Sequence, residues 1–237
     1  MRFPAPLEKG TLVKRYKRFL ADVALESGAT VTAHCTQPGS MMGLVEPGLA
    51  VWLSQSDNPK RKLKYSWELV EVDLGAGPVL VGVNTGLPNR LASEAIQAGA
   101  IEALAGYEGL RREVRYGENS RIDILLTREG AAPCYVEIKN VGLMRERGRA
   151  EFPDAVTTRG AKHFAELAAM VEQGFRAVTL YVVQRDDVER FAVARDIDPA
   201  YGEAFDLAKR AGVEVMSYAC SLSPGGIEIA RPIPVEP

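Results

Sequence analysis

The chain has 237 residues, is 46% hydrophobic and 25% charged, and carries a formal net charge of −2. That length and balance suit one large domain or two modest ones with a real core. They exclude a globally basic nucleic-acid binder, so any such binding must come from local patches. Three widely spaced cysteines (Cys35, Cys134, Cys220) argue against a disulfide framework and a zinc ribbon. No apolar run approaches the roughly 18 residues of a membrane helix. Residues 1–10 lack the apolar segment of a signal peptide. The cytoplasm is therefore the default location, with no membrane partner.

Residues 1 to 80 read as all-β. Thr11–Tyr16, Arg18–Leu25, Thr30–His34, Leu49–Ser54 and Tyr65–Val72 are five strand candidates, punctuated by Gly28, Pro38-Gly39, Pro47-Gly48 and Pro59. Five short strands in this span suit a small OB-like Greek-key barrel; an SH3-like barrel reads much the same. Two basic clusters lie here, Lys14, Arg15, Lys17 and Arg18, then Lys60, Arg61, Lys62 and Lys64. Tyr16, Phe19, Tyr65 and Trp67 accompany them. Positive charge with exposed aromatic faces suits a phosphate backbone and unstacked bases. The alternative is that the aromatics fill the barrel and the lysines solubilise it. His34-Cys35-Thr36-Gln37-Pro38-Gly39-Ser40-Met41 is a structured loop by composition, with too few Cys and His for zinc. Its Gly39 and Ser40 amides are weak candidates for phosphate contact.

Asp73–Pro78 is Gly/Pro-rich and marks the domain boundary, giving domains of 1–80 and 81–237. Val79–Val83 continues as a strand. Leu91, Ala95, Ala98, Ile101 and Ala105 then recur at helical spacing over residues 90–106, with Asn89 as the N-cap. Glu94 near this helix start is either an extra carboxylate for a metal site or a group favouring the helix dipole.

Leu110–Tyr116 is a strand with Arg111, Arg112 and Arg115. Ser120–Thr127 and Cys134–Asn140 follow as a hairpin turning at Gly130 and Pro133. Glu137 and Lys139 are two apart and share one strand face, and Asp123 can meet them from the neighbouring strand. Carboxylates are the ligands hard cations such as Mg²⁺ and Mn²⁺ prefer, and a lysine beside them stabilises developing negative charge. Glu-X-Lys on a strand is more often a solvated sheet face. Apolar flanks (Ile122, Ile124, Val136, Ile138) weigh against that, because charges in such surroundings need partners or a metal. Asp123 with Glu-X-Lys fourteen positions on resembles the PD-(D/E)XK nuclease core.

Residues 144–152, rich in Arg and Glu, read as a mobile loop. Thr157, Thr158, Arg159, Lys162 and His163 begin a helix running to about Gln173, a candidate phosphate-binding corner or an ordinary threonine cap. Ala177–Val183 reads as a central strand with Gln184 and Arg185 at its C-terminal end, where open α/β sheets place ligands. Helix Tyr201–Ala211 and strands at Val213–Tyr218 and Ile227–Arg231 complete the chain, giving a mixed sheet flanked by helices. No repeat, P-loop, GxGxxG or helix-turn-helix signature occurs.

Six segments together resemble the bacterial sugar fermentation stimulation protein A family along essentially the whole chain. They are Arg2–Leu7, His34–Met41, Asn84-Thr85, Ser120–Asp123, Tyr135–Val141 and Phe152–His163. Gln37 is a mild departure, where the family more often has Asn. The resemblance implies an N-terminal OB-like barrel and a C-terminal restriction-endonuclease-like domain. It also implies sequence-independent DNA binding and a regulatory role in sugar (maltose) metabolism. The nuclease pattern maps onto Asp123, Glu137 and Lys139, with Glu94 as a possible helix carboxylate. In a nuclease reading, Asp123 and Glu137 would hold Mg²⁺ or Mn²⁺ with the Ile138 carbonyl. Gln184, Arg159 and Lys162 would orient the phosphate. DNA is the expected partner, with RNA and a homodimer as open alternatives. DNA binding alone and metal-dependent cutting of DNA or RNA are the two functional readings.

Overall fold

The computed structural model describes residues 1–237 apart from Ala76, Glu118 and Asn119. The N-terminal half begins with strands β1 (Glu8–Tyr16), β2 (Leu20–Leu25), β3 (Thr30–His34), β4 (Ala50–Gln55), β5 (Tyr65–Asp73) and β6 (Pro78–Gly82). All five strands expected from the alternating pattern are present. Their order is β3-β2-β1-β4-β5, and β3 pairs with β5 to close the ring. That is a five-stranded OB barrel, which leaves the first five strands no open edge. Its interior is Leu12, Val23, Ala33, Leu53, Trp67 and Val70, all buried. β6 pairs with β5 from Leu69↔Gly82 to Asp73↔Pro78, so the Gly/Pro-rich stretch closes a hairpin. Ala76 within that stretch lies outside the described residues.

The second half carries helices α1 (Pro88–Gln97), α2 (Thr158–Glu172) and α3 (Pro199–Arg210). Strands β7 (Gly109–Tyr116), β8 (Ser120–Thr127), β9 (Cys134–Val141), β12 (Arg176–Val183), β14 (Glu214–Ser223) and β15 (Gly226–Pro232) build one mixed sheet. Its order is β15-β14-β12-β9-β8-β7, with parallel pairs only at β9–β12–β14. β9 and β12 are central; β12 is buried at all but its first residue, as its apolar run requires, while β9 leaves Tyr135, Lys139 and Asn140 partly exposed. One face is packed by α2 and α3 through Phe164, Leu167, Tyr201 and Phe205. The other is packed by α1 and by Trp52 and Leu69 of the barrel. No helix among the described residues is long and apolar enough to cross a membrane.

Three expectations are corrected. The helix read across 90–106 ends at Gln97, because Gly99 turns the chain at a φ of 72°; only a short 3₁₀ turn, Glu102–Leu104, follows. The presumed loop 144–152 is instead β10 (Leu143–Glu146) and β11 (Gly148–Phe152). They join β13 (Val188–Val193), itself not anticipated, in a three-stranded sheet. The Arg/Glu richness that suggested a loop is an ion-pair cluster. Arg145 grips buried Glu151 through two nitrogens at 2.7 and 2.8 Å and also meets Asp196. Finally, Trp67 is buried, with its indole N–H donating to the Leu69 carbonyl, so it is no base-stacking surface; Phe19 remains exposed.

Candidate active site and nucleic-acid surface

The β8–β9 hairpin forms as the sequence implies, pairing Ile124↔Val136, Leu125↔Tyr135 and Leu126↔Cys134. Beyond Ile124 the Asp123 carboxylate takes over the ladder, its Oδ2 accepting the Ile138 N–H at 2.7 Å. Its Oδ1 accepts from Asn89 Nδ2 at 2.8 Å. Glu137 and Lys139 share a face, and Lys139 Nζ donates to Glu137 Oε1 at 2.7 Å. His163 Nδ1 meets the same oxygen, and its Nε2 accepts from Arg159 Nε at 3.1 Å. Glu137 Oε2 is buried and has no partner among the described residues. These groups line a cleft of about 340 Å³ together with Glu113, Arg121 and Thr85.

Burial, then the Glu137 charge, pushes the Asp123 carboxyl up to about 6. Burial also acts to raise Glu137, but His163 and Lys139 outweigh it and hold that carboxyl below the usual range. Two neighbouring carboxylates thus differ in acidity because one has cationic and ring donors and the other does not.

Asp123, Glu137, Lys139 and Arg159 all line the cleft. Glu94 does not. It is half-buried on another side of α1, paired with Arg90 at 2.7 Å and with the Met1 amine at 2.9 Å. Its position on the second turn points it away, and Asn89 reaches the site instead. Asn89 is also not the N-cap; Leu87 occupies that position without a side-chain bond. Gln184 is fully buried at the seam between the halves, bonded to Asn140 Oδ1 at 2.6 Å and to the Asn84 carbonyl at 3.2 Å. It packs so tightly against Gly82 that a Cβ there would sit 2.5 Å from its oxygen. It is a bridge, not a phosphate contact. Lys162 is exposed beside Glu166, one helical turn on, rather than in the cleft. Thr157 does cap α2, its hydroxyl accepting the Gly160 N–H.

Sequence reasoning missed Asn89, Glu113 and Arg121 and gave His163 no contact with Glu137. The i, i+4 spacing of Arg159 and His163 on one helix face was the available signal for the last. Glu113 carried none. It sits in β7 at a φ of 54°, between the Arg112↔Ile124 and Val114↔Ile122 pairs, and Asn89 Nδ2 approaches it at 3.4 Å.

The first basic cluster flanks the β1–β2 turn and the second fills the β4–β5 loop, the two loops with which OB barrels contact oligonucleotides. Lys17, Arg18, Lys60, Lys62 and Lys64 are exposed. Lys14 is exposed but lies 3.6 Å from Asp22. Arg15 is committed elsewhere: its guanidinium donates to the carbonyls of Gln37 (2.7 Å), Gly39 (3.1 Å) and Arg18 (3.0 Å). Arg61 is half-buried and bonds Ser66. Both loops meet the chain leaving β3, through Cys35 N–H to Phe19 O and the His34↔Ser66 pair. Two residues on, Thr36 bonds Asn84 and Thr85 at the cleft rim. The 34–41 segment is therefore a bracket between barrel and cleft. Its Gly39 lies so close to the Asp154 carboxylate that a Cβ there would come within 2.0 Å of Oδ2.

An OB barrel fused to a mixed-sheet domain, with two carboxylates and a lysine at a strand pair, defines a two-module protein of the restriction-endonuclease-like class. Residues 13–83 match the SfsA N-terminal OB domain, and residues 86–226 match the sugar fermentation stimulation protein RE domain. The chain belongs to the sugar fermentation stimulation protein family. It is 57% identical over 235 residues to the homolog of Azorhizobium caulinodans, covering 99% of both chains. It is 56% identical over 236 residues to that of Maricaulis maris, covering 100% of this chain and 99% of the other. The solved structure of Pyrococcus furiosus SfsA in complex with Ca²⁺ superposes with a TM-score of 0.88 at 26% identity, covering 100% of this chain and 98% of that one.

Proposed function

We propose that the protein binds nucleic acid, DNA first, without reading its sequence, and hydrolyses phosphodiester bonds at the Asp123–Glu137–Lys139 cleft with Mg²⁺ or Mn²⁺. The observation that carries this reading is Glu137 Oε2. Among the described residues it is a buried carboxylate oxygen with no partner, on a side chain that lines the cleft beside a second carboxylate. Lys139 already pairs with Oε1, and the bare second oxygen is the lone pair that a further cation would take. Asp123 and Glu137 would hold the ion; among the described residues no group of three His, Cys, Asp or Glu is set for it, so backbone oxygen and water must complete its shell. The Ca²⁺ bound by the Pyrococcus furiosus protein supports a hard cation in this family.

A bound divalent cation supplies Lewis-acid stabilisation of phosphoryl charge and an acidified water. Lys139, 12% exposed and pinned to Glu137, presents positive charge to the developing phosphorane. Arg159 and Arg121 at the rim bind and orient the phosphate. The lysines of the β1–β2 and β4–β5 loops hold the flanking backbone, and the absence of any base-reading element in that set makes the binding sequence-independent.

Binding without cutting is the second reading. Both Asp123 oxygens and Glu137 Oε1 are already hydrogen-bonded, which favours a site that is satisfied as it stands. Linear, nicked, branched and single-stranded DNA and RNA, each with Mg²⁺ or Mn²⁺, decide between them. Cutting that Glu137→Ala and Lys139→Ala both abolish supports the nuclease; intact substrates with retained binding remove it.

A further inference from the structure

Among the described residues His163 alone bonds both the Glu137 carboxylate and a cleft arginine. Its side chain is 8% exposed, on the first turns of α2 and against β9. Arginine has donors and no acceptor, so the Arg159 Nε–H requires a lone pair on His163 Nε2. The ring proton then sits on Nδ1 and points at Glu137 Oε1. Lys139 Nζ donates to that same oxygen and lies 3.3 Å from Nδ1. Oε1 thus receives two donors, while Oε2 receives none among the described residues. On the other side, among the described residues only the Nε of Arg159 is used, which leaves its two terminal nitrogens in the planar fork that suits a phosphate.

We propose that His163, as its Nδ1–H tautomer, is a positioning residue that fixes Glu137 Oε1, so reserving the bare Oε2 for a divalent cation, and holds Arg159 at the same cleft as a phosphate clamp. This rests on the reading of Glu137 as a cation ligand. The physical case is orientation. A glutamate carboxyl turns freely about its last bond unless donors fix one oxygen, and groups that orient metal ligands in this way are typically worth about 10–100-fold in affinity. The same ring couples strand and helix, so cation and phosphate sites are set by one side chain.

Two measurements test it. In the metal-free protein, ¹⁵N shifts of the His163 ring should show a protonated Nδ1 and an unprotonated Nε2; an Nε2–H ring overturns the proposal. Calorimetry with Ca²⁺ alone should show affinity falling about 10–100-fold in His163→Ala. His163→Asn, which keeps a short donor near the Nδ1 position, should restore most of it. Equal Ca²⁺ affinity in wild type and His163→Ala, each with an unchanged melting temperature, overturns it as well. If the wild type binds no Ca²⁺, the cation reading of Glu137 falls by itself. The ring tautomer then decides the geometry of His163 independently.

Discussion

Asn89 Nδ2 donates to Asp123 Oδ1 at 2.8 Å, which makes an amide at the start of α1 the partner of a carboxyl that burial pushes up to about 6. That bond favours the ionised form. Asn89→Ala should therefore move Asp123 above its value of about 6, by roughly one unit for a bond to a charged group. Carboxyl ¹³C titration reads this directly. Cation affinity should fall more at pH 6.5 than at pH 8.5, and a uniform loss at both would contradict the assignment.

The pH dependence of stability follows from the same two carboxylates, with opposite signs. Folded Asp123 keeps its proton up to about 6, against 3.8 for the free side chain. The native state binds the extra proton in that window, so this group's contribution falls as pH rises through it. Glu137 is lowered from 4.5, so its contribution is present above that value and fades as pH falls below it. A divalent cation selects the ionised pair. The rise in melting temperature on adding Ca²⁺ should be larger at pH 8 than at pH 5, and equal rises would count against the site.

Arg15 and its neighbours Lys17 and Arg18 look alike in sequence but separate in structure. Arg15→Ala should lower stability by about 1–3 kcal/mol, since three carbonyls lose a charged donor. Lys17→Ala with Arg18→Ala should leave the melting temperature near that of the wild type while weakening DNA binding. A loss of stability in the double variant would reverse the assignment.

Removing Lys60, Lys62 and Lys64 together tests the second loop. Each phosphate that a lysine no longer neutralises makes the slope of log K against log salt shallower by about one. A triple alanine variant should therefore bind DNA more weakly, with a flatter salt dependence. An unchanged slope would mean that this loop does not face the backbone.

Arg145→Ala probes the small sheet. Glu151 is 2% exposed and keeps only Arg149 at 3.4 Å once Arg145 is gone. The loss should be about 2 kcal/mol, read by denaturant unfolding, because a buried carboxylate is left under-paired. A solvent-exposed loop would have shown almost none.

The barrel and the β8–β9 hairpin were legible because both repeat with period two between strong breakers. Asp123, Glu137 and Lys139 could be placed on one site because strand alternation fixes which side chains share a face. Glu94 misled because helical periodicity gives a face but not its direction, and the α1 face that reaches the cleft begins at Asn89. The β10–β11 pair was hidden because its charges compensate one another across the strands, as Arg145 does with Glu151, and through partners more than 40 positions away, as Arg145 does with Asp196. Glu113 was invisible for a different reason. It adopts the left-handed backbone region, and no residue pattern announces a left-handed glutamate.

The bracket formed by residues 34–41 bears on how this protein can be taken apart. Thr36 fastens to Thr85, Gly39 abuts Asp154, and Gly82 abuts Gln184. A chimera that exchanges barrels between distant relatives therefore has to carry all these partners from one parent. Cutting the chain at the boundary between its halves would leave each fragment with half of a mortise joint, so neither piece is a fair proxy for the whole in a binding assay.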